Sequence, residues 1–143
     1  MRRIHLLRVA EEAHVFGPLL VAAAAAGLRI GWLELQSPPP LPEALRAALL
    51  AGGDRAVAVA AEWTLSARPR KGPALMRELL RQQFLGCALV LVRGEVEAPL
   101  LAPADDGGWR LAFPAAAERR LTIDQLLAEL RQPQPFAPFL PVT

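Results

Sequence analysis

The residues that could bind a ligand begin with a basic loop, in the stretch SARPRKGPALMRELLRQQ. Arg68, Arg70 and Lys71 lie close together there, and Gly72 and a proline follow at the predicted start of a helix. Free N–H groups at a helix start and guanidinium groups both favour an anion such as a phosphate or a carboxylate. The glycine spacing of a Walker loop or of GxGxxG is absent, so a solvated turn is the alternative interpretation.

A second group of candidate residues follows the first predicted strand. Glu11 and Glu12 could ligate Mg²⁺, because hard cations bind carboxylate oxygens, and His14 could act as a base or a ligand. Carboxylates at the end of a strand are equally typical of plain surface charge. No other cofactor is indicated. Cys87 has no partner in a metal-ligand spacing, and we expect it to behave as a small apolar residue.

Composition excludes several classes of protein. The 143 residues are 53% hydrophobic, which suits one folded domain rather than a disordered chain. The formal net charge is only +2, tyrosine is absent and the other aromatic residues are scattered, so we expect no nucleic-acid binding. The apolar run at residues 15–28 is too short to span a membrane. Together with the single cysteine, this predicts a soluble, cytoplasmic protein.

Short aliphatic strands alternate with helices over the first two thirds of the chain. The strands are predicted at residues 3–10, 28–35, 55–63 and 87–94, and the helices at 18–26, 42–51 and 73–84. Strict alternation indicates a doubly wound α/β fold. We therefore predict a three-layer, flavodoxin-like domain with a mostly parallel five-stranded sheet in the order 2-1-3-4-5.

The last third of the chain is less regular. The turn signal at residues 106–108 predicts an extra β-hairpin within residues 97–113, although residues 95–105 are compatible with either helix or strand. Thr122 and Gln125 have the spacing of a capping box, which predicts a helix through Arg131.

The predicted domain covers residues 1–132, and a proline-rich tail follows at 133–143. Phe136, Phe139 and Leu140 in this tail could cover the chain's own core or dock on a neighbouring subunit or another protein. The region that begins at Trp109 is a further candidate interaction surface.

In an open parallel sheet, ligands bind beyond the carboxyl ends of the strands. This rule brings the loop after the first strand, the basic loop and the end of the fourth strand to one edge. An anion site there would consist of Arg68, Arg70, Lys71, Gly72 and Arg93.

The order of these pieces resembles the receiver domain of bacterial response regulators. The likeness lies in RIHLLRVA followed by two glutamates, in AAGLRI, in CALVLV, and in ADDGGWRLAFP followed by LTIDQLLAEL. It implies an acidic pocket of Glu11, Glu12 and Glu62, with Glu62 at the place of the phosphoacceptor aspartate. Arg93 would lie near the place of the receiver's hydroxyl, and Phe113 would replace its lysine.

The resemblance implies a degenerate, non-phosphorylated pseudo-receiver that acts in bacterial signalling by binding a protein partner or further copies of itself. The alternative is a small-molecule binding protein or enzyme with an anionic ligand at the carboxyl ends of the parallel strands. Enzymatic activity is left open on this basis, with a non-catalytic role favoured.

Overall fold

A computed structural model of the chain describes residues 3–138 and divides the chain into two compact units. Unit 1 combines the chain up to Ser37 with the chain from Leu80 onwards, and unit 2 is Pro38–Leu79. The predicted boundaries of a single domain at 1–132 and a tail from residue 133 stay a prediction.

The described residues form eight strands and four α-helices. The strands are β1 (His5–Val9), β2 (Ile30–Glu34), β3 (Ala56–Val59), β4 (Thr64–Ala67), β5 (Leu89–Arg93), β6 (Leu100–Pro103), β7 (Trp109–Phe113) and β8 (Ala116–Leu121). The helices are α1 (Gly17–Ala25), α2 (Glu43–Leu50), α3 (Met76–Gln83) and α4 (Ile123–Glu129). A short 3₁₀ helix, Ala13–Phe16, precedes α1.

Unit 1 is built on a six-stranded sheet in the order β2-β5-β1-β6-β7-β8. The strands β2, β5, β1 and β6 are parallel, while β7 and β8 continue the sheet as an antiparallel meander. The run LVLV in β5 is buried on both faces, as expected for a central parallel strand.

One face of this sheet carries the main core. Leu19 and Ala23 of α1 pack with Leu126 and Leu127 of α4 over aliphatic side chains of the sheet. Phe16 lies close to two indole rings, with its centroid 5.7 Å from that of Trp32 and 5.5 Å from that of Trp109. On the other face, a Cβ at Gly31 would collide with the ring of Phe84, so only glycine fits this close approach.

The predicted α/β class is confirmed, but the predicted strand order is wrong. The sequence predicts that residues 55–63 form the third strand of the parallel sheet. They instead supply β3, which pairs antiparallel with β4 in unit 2. In β3 the alternation of buried Ala56 with exposed Val57 is that of a half-buried hairpin strand, and its alanines made the run look more deeply buried than it is.

Other elements differ less from their predictions. The hairpin predicted within 97–113 is present as β6 and β7, and residues 100–103 are strand rather than helix. The capping box of Thr122 and Gln125 is formed by reciprocal hydrogen bonds of 3.1 and 2.8 Å. The helix predicted from residue 73 begins at Met76. Among residues 3–138, no helix has the length and hydrophobicity needed to cross a membrane.

Candidate functional site

The topology of unit 1 selects one crevice at the carboxyl edge of the sheet. The strand β1 connects through α1 to β2 on one side, whereas its neighbour β5 connects to β6 on the other side. Adjacent strands whose connections leave in opposite directions form a topological switch point, where ligands of open α/β sheets bind. The candidate site is therefore the crevice beyond Val9 and Arg93, which pair with each other in the sheet.

Arg93, the last residue of β5, ties together the ends of three strands. Its Nε donates to the backbone carbonyl of Ala10, after β1, at 3.4 Å. Its guanidinium also donates to Oε1 of Glu34, the last residue of β2, at 3.3 Å. The side chains of Arg93 and Glu34 are only 18% and 23% exposed, so this ion pair is shielded from water far more than an ordinary surface pair.

Glu34 is held by further hydrogen bonds to its second oxygen. Oε2 accepts from the backbone N–H groups of Gln36 and Ser37 at 3.2 and 3.4 Å. Partial burial acts to raise the pKa of Glu34, but the Ser37 N–H, the Arg93 guanidinium and the Gln36 N–H together outweigh it. The pKa of Glu34 therefore lies below its ordinary value, and the carboxylate stays ionised.

The chain beyond Arg93 passes very close to the chain beyond β2. Gly94 has a φ of +145°, and a Cβ there would lie 2.7 Å from Cβ of Leu35. The N–H groups of Leu35 and Gln36 both donate to the carbonyl of Arg93, at 2.9 and 3.2 Å. This junction requires glycine and fixes the position of the Arg93–Glu34 pair.

The acidic residues after β1 lie at the same edge. Oε2 of Glu11 is buried and has no hydrogen-bond partner among the described residues. Glu12 and His14 are exposed, with Oε2 and Nδ1 3.5 Å apart. Within residues 3–138, no three or more His, Cys, Asp or Glu side chains are grouped closely enough to hold a metal ion. The Mg²⁺ ligation by Glu11 and Glu12 stays a prediction.

The basic loop belongs to unit 2. Arg68, Arg70, Lys71 and Gly72 follow β4 and are exposed, and Nε of Arg70 donates to the carbonyl of Gly72 at 3.1 Å. Because α3 begins at Met76, this loop does not lead directly into free N–H groups of a helix. The anion site that includes these residues stays a prediction.

Glu62 also belongs to unit 2, in the exposed turn between β3 and β4, where the N–H of Ala60 donates to the carbonyl of Trp63. Glu11 and Glu12 belong to unit 1. The grouping of these three glutamates depended on a strand that would end at Glu62 in the parallel sheet, and that sheet contains no such strand among the described residues.

The candidate interaction residues have different environments. Trp109 is 3% exposed and stacks on Phe16, so it is part of the core. Phe136 is also buried, and its N–H donates to Oε2 of Glu129 at 3.2 Å, so this part of the tail packs on its own chain. Phe139 and Leu140 lie outside the described residues.

Sequence reasoning missed Glu34, the residue that neutralises Arg93. A signal was present, because Glu34 is the charged residue near the carboxyl end of the apolar run LRIGWLEL, whereas Arg29 lies at its start. Such a position meets the ends of the neighbouring parallel strands. The pairing of Glu34 with Arg93 could not be predicted because β2 neighbours β5, whereas the predicted strand order makes the first strand the neighbour of β2.

Two solved structures of MobB from Bacillus subtilis are similar to this chain, each at 20% sequence identity. One match covers 71% of this chain and 71% of that chain with a TM-score of 0.47, and the other covers 68% and 61% with a TM-score of 0.45. No protein-family model and no curated protein matches the chain. The sheet of unit 1 has the order β2-β5-β1-β6-β7-β8, with two antiparallel strands, and this is not the 2-1-3-4-5 order expected of a receiver. The receiver interpretation, and the pseudo-receiver signalling module inferred from it, are therefore wrong.

Proposed function

We propose that this chain binds a small ligand that presents N–H donors or a positive charge to the crevice between β1 and β5. The observation that carries the proposal is the buried Oε2 of Glu11, which has no donor among the described residues. A buried acceptor without a donor costs about 1–3 kcal/mol, so a ligand that supplies the donor gains that free energy on binding.

The charges at this edge favour the same class of ligand. Glu11, Glu12 and Glu34 place three carboxylates there, and Arg93 already donates to Glu34 and to the carbonyl of Ala10. An anionic ligand would have to displace a carboxylate from Arg93 and would meet two more. A cationic or N–H-rich ligand would meet carboxylates without that competition.

The connection between β1 and α1 argues against a phosphate loop at this position. Residues 10–16 contain no glycine, whereas loops that cradle phosphate groups need glycine for close approach of the backbone. The proposed ligand therefore differs from the anion first expected at the carboxyl ends of the strands. A cytoplasmic location is part of the proposal, since the single Cys87 suits a reducing compartment.

Backbone amide NMR titration tests the proposal, with agmatine as a cationic probe and inorganic phosphate as an anionic one. We expect saturable shifts with agmatine at Ala10–His14 and at Arg93, and none with phosphate. Glu11→Gln should weaken agmatine binding about tenfold or more, because a hydrogen bond to a charged group contributes about 1.5–3 kcal/mol. Glu118→Gln removes an exposed carboxylate of β8 and is the matched control.

Two outcomes would contradict the proposal. The first is that agmatine causes no saturable shift at this edge. The second is that phosphate shifts Arg93 while agmatine does not, which would return the site to the anionic class.

A further inference from the structure

The β3–β4 hairpin of unit 2 has two outer edges. The strands pair in a register that joins Val57 to Ser66 and Ala58 to Leu65, and no other described strand pairs with either of them. A two-stranded sheet is marginally stable alone in water, and an uncovered edge is a template for another strand. The middle of each strand lacks the lysine or proline that commonly protects such edges.

The two faces of the hairpin have different environments. On one face Ala56 is buried and Leu65 is half-buried, and β3 contacts α2. On the other face Val57 is 50% exposed and Val59 is 78% exposed, and Trp63, which is two residues before Leu65 beside the turn, is 60% exposed. The hairpin therefore has one packed face and a partly apolar exposed surface.

We propose that β4 pairs antiparallel with β4 of a second copy of this chain, centred on Leu65, and so forms a four-stranded sheet across a two-fold axis. In this register Leu65 lies opposite its own equivalent, and Thr64 lies opposite Ser66 of the second copy. Side chains alternate between faces along a strand, so this register keeps the packed faces of both copies on the same side.

Charge complementarity selects this partner and this register. Glu62 lies in the turn just before β4 and Arg68 lies just after its end, so antiparallel pairing brings each of them near the opposite charge of the second copy. Arg68 already has an interaction within its own chain, and the several N–H donors of a guanidinium allow another partner. Because one strand supplies both halves of each ion pair, the contact is self-complementary, as a two-fold dimer requires.

The same register also accounts for Trp63 and disfavours the other edge. Trp63 falls opposite Ala67 of the second copy, so the exposed indole gains a neighbour. Pairing β3 with its own equivalent around Ala58 would instead bring Asp54, before the strand, near Glu62, in the turn after it, and these are two like charges. The edge of β4 is therefore the favoured one.

Sedimentation equilibrium of the full chain tests the dimer. We expect a mass of two chains for the natural sequence. Glu62→Arg and Arg68→Glu should each weaken the dimer about tenfold or more, because like charges then face each other and one close charge pair is worth about 1.5 kcal/mol or more. The double variant restores both opposite-charge pairs and should recover the dimer. Both residues are exposed, so these variants keep the fold.

A control distinguishes the edge from the exposed valine face. Val57→Thr together with Val59→Thr should leave the dimer intact, because these side chains do not lie at the pairing edge. A monomer at every concentration would overturn the proposal. Three other outcomes would do so as well: single charge reversals that leave the dimer unchanged, a double reversal that fails to rescue it, and a dimer lost only with the valine variant, which would indicate face-to-face packing.

Discussion

At the scale of single residues, Arg93 accounts for most of the order at the carboxyl edge. One guanidinium joins the carbonyl after β1 to the carboxylate at the end of β2, across the strand that carries it. A planar guanidinium with several fixed N–H donors suits this role, because it can donate to two acceptors on different sides at once. The proposed ligand class rests on this neutralised arginine and on Oε2 of Glu11, which has no donor among the described residues.

Glu34→Gln should destabilise the protein at neutral pH, and the difference from the natural sequence should shrink as the pH falls. The pKa of Glu34 is lowered in the folded state, so its contribution to stability is present above the ordinary pKa of a glutamate. That contribution is lost as the pH falls through the ordinary value toward the lowered one. Urea unfolding of both proteins at a series of pH values measures this effect.

Glu43→Gln is the control for the loss of one carboxylate. Glu43 is exposed on α2 and lies 3.9 Å from Arg46, in a surface pair of the kind that contributes little. A constant difference between Glu34→Gln and the natural sequence at every pH would mean that the ion pair with Arg93 does not carry the effect.

Arg93 shows how far residues can be predicted from sequence. The sequence placed Arg93 at the end of a strand that reaches a ligand edge, and the structure has it at that position in β5. Its partner could not be predicted, because an ion pair across 59 positions of the chain depends on which strands are neighbours. Glu11 is a candidate because its carboxylate follows the first predicted strand, but the burial of one of its oxygens depends on packing and cannot be predicted from the sequence.

At the scale of elements, a buried ion pair fastens the end of the described chain to β8 and α4. Arg119 of β8 and Glu129 of α4 form an ion pair, and their side chains are almost fully buried. Arg119 also donates to the carbonyl of Ala137 at 2.8 Å, while Glu129 accepts from the N–H of Phe136. The pair therefore binds the backbone that brings Phe136 into the core.

Glu129→Gln should lower the free energy of unfolding by about 3–5 kcal/mol, because it leaves Arg119 buried without its counter-charge. Replacing both residues, with Arg119→Met and Glu129→Leu, should recover much of that loss, since two apolar side chains remove the unpaired charge. Urea unfolding gives both values. A double variant less stable than the single one would show that the bonds to the tail backbone, rather than the charge balance, dominate.

The elements that could be predicted share strong local signals. Aliphatic runs specified β1, β2 and β5, and the capping box specified the start of α4. The strand β8 gave no such signal, because AAERRL combines alanines with charged residues and its Arg119 is buried only through Glu129. From sequence alone, an arginine within a strand is expected at the surface, because arginine is seldom buried unless it has a partner.

At the scale of the whole molecule, the two units have very unequal cores. Among the described residues of unit 2, the buried hydrophobic side chains are Leu45 and Ala56, whereas unit 1 contains the continuous cluster around β1 and β5. The predicted strand order is wrong because it assigns the apolar run at 55–63 to the core of the large sheet, whereas this run belongs to the small unit. The composition of the run at 55–63 shows that it is apolar. It does not show that the run pairs with the short strand TLSA, which has only one large apolar residue.

Unit 2 should therefore open without unfolding of unit 1. In native-state hydrogen exchange followed by NMR, we expect the amides of β3 and β4 to exchange about tenfold or more faster than those of β5, through an opening that exposes less surface.

Since a partner that binds only the folded hairpin stabilises it by mass action, raising the protein concentration should slow exchange in β4 and leave β5 unchanged. Glu62→Arg should abolish that concentration dependence. Equal opening free energies in β3 and β5, with equal dependence on denaturant, would show instead that the two units unfold as one cooperative body.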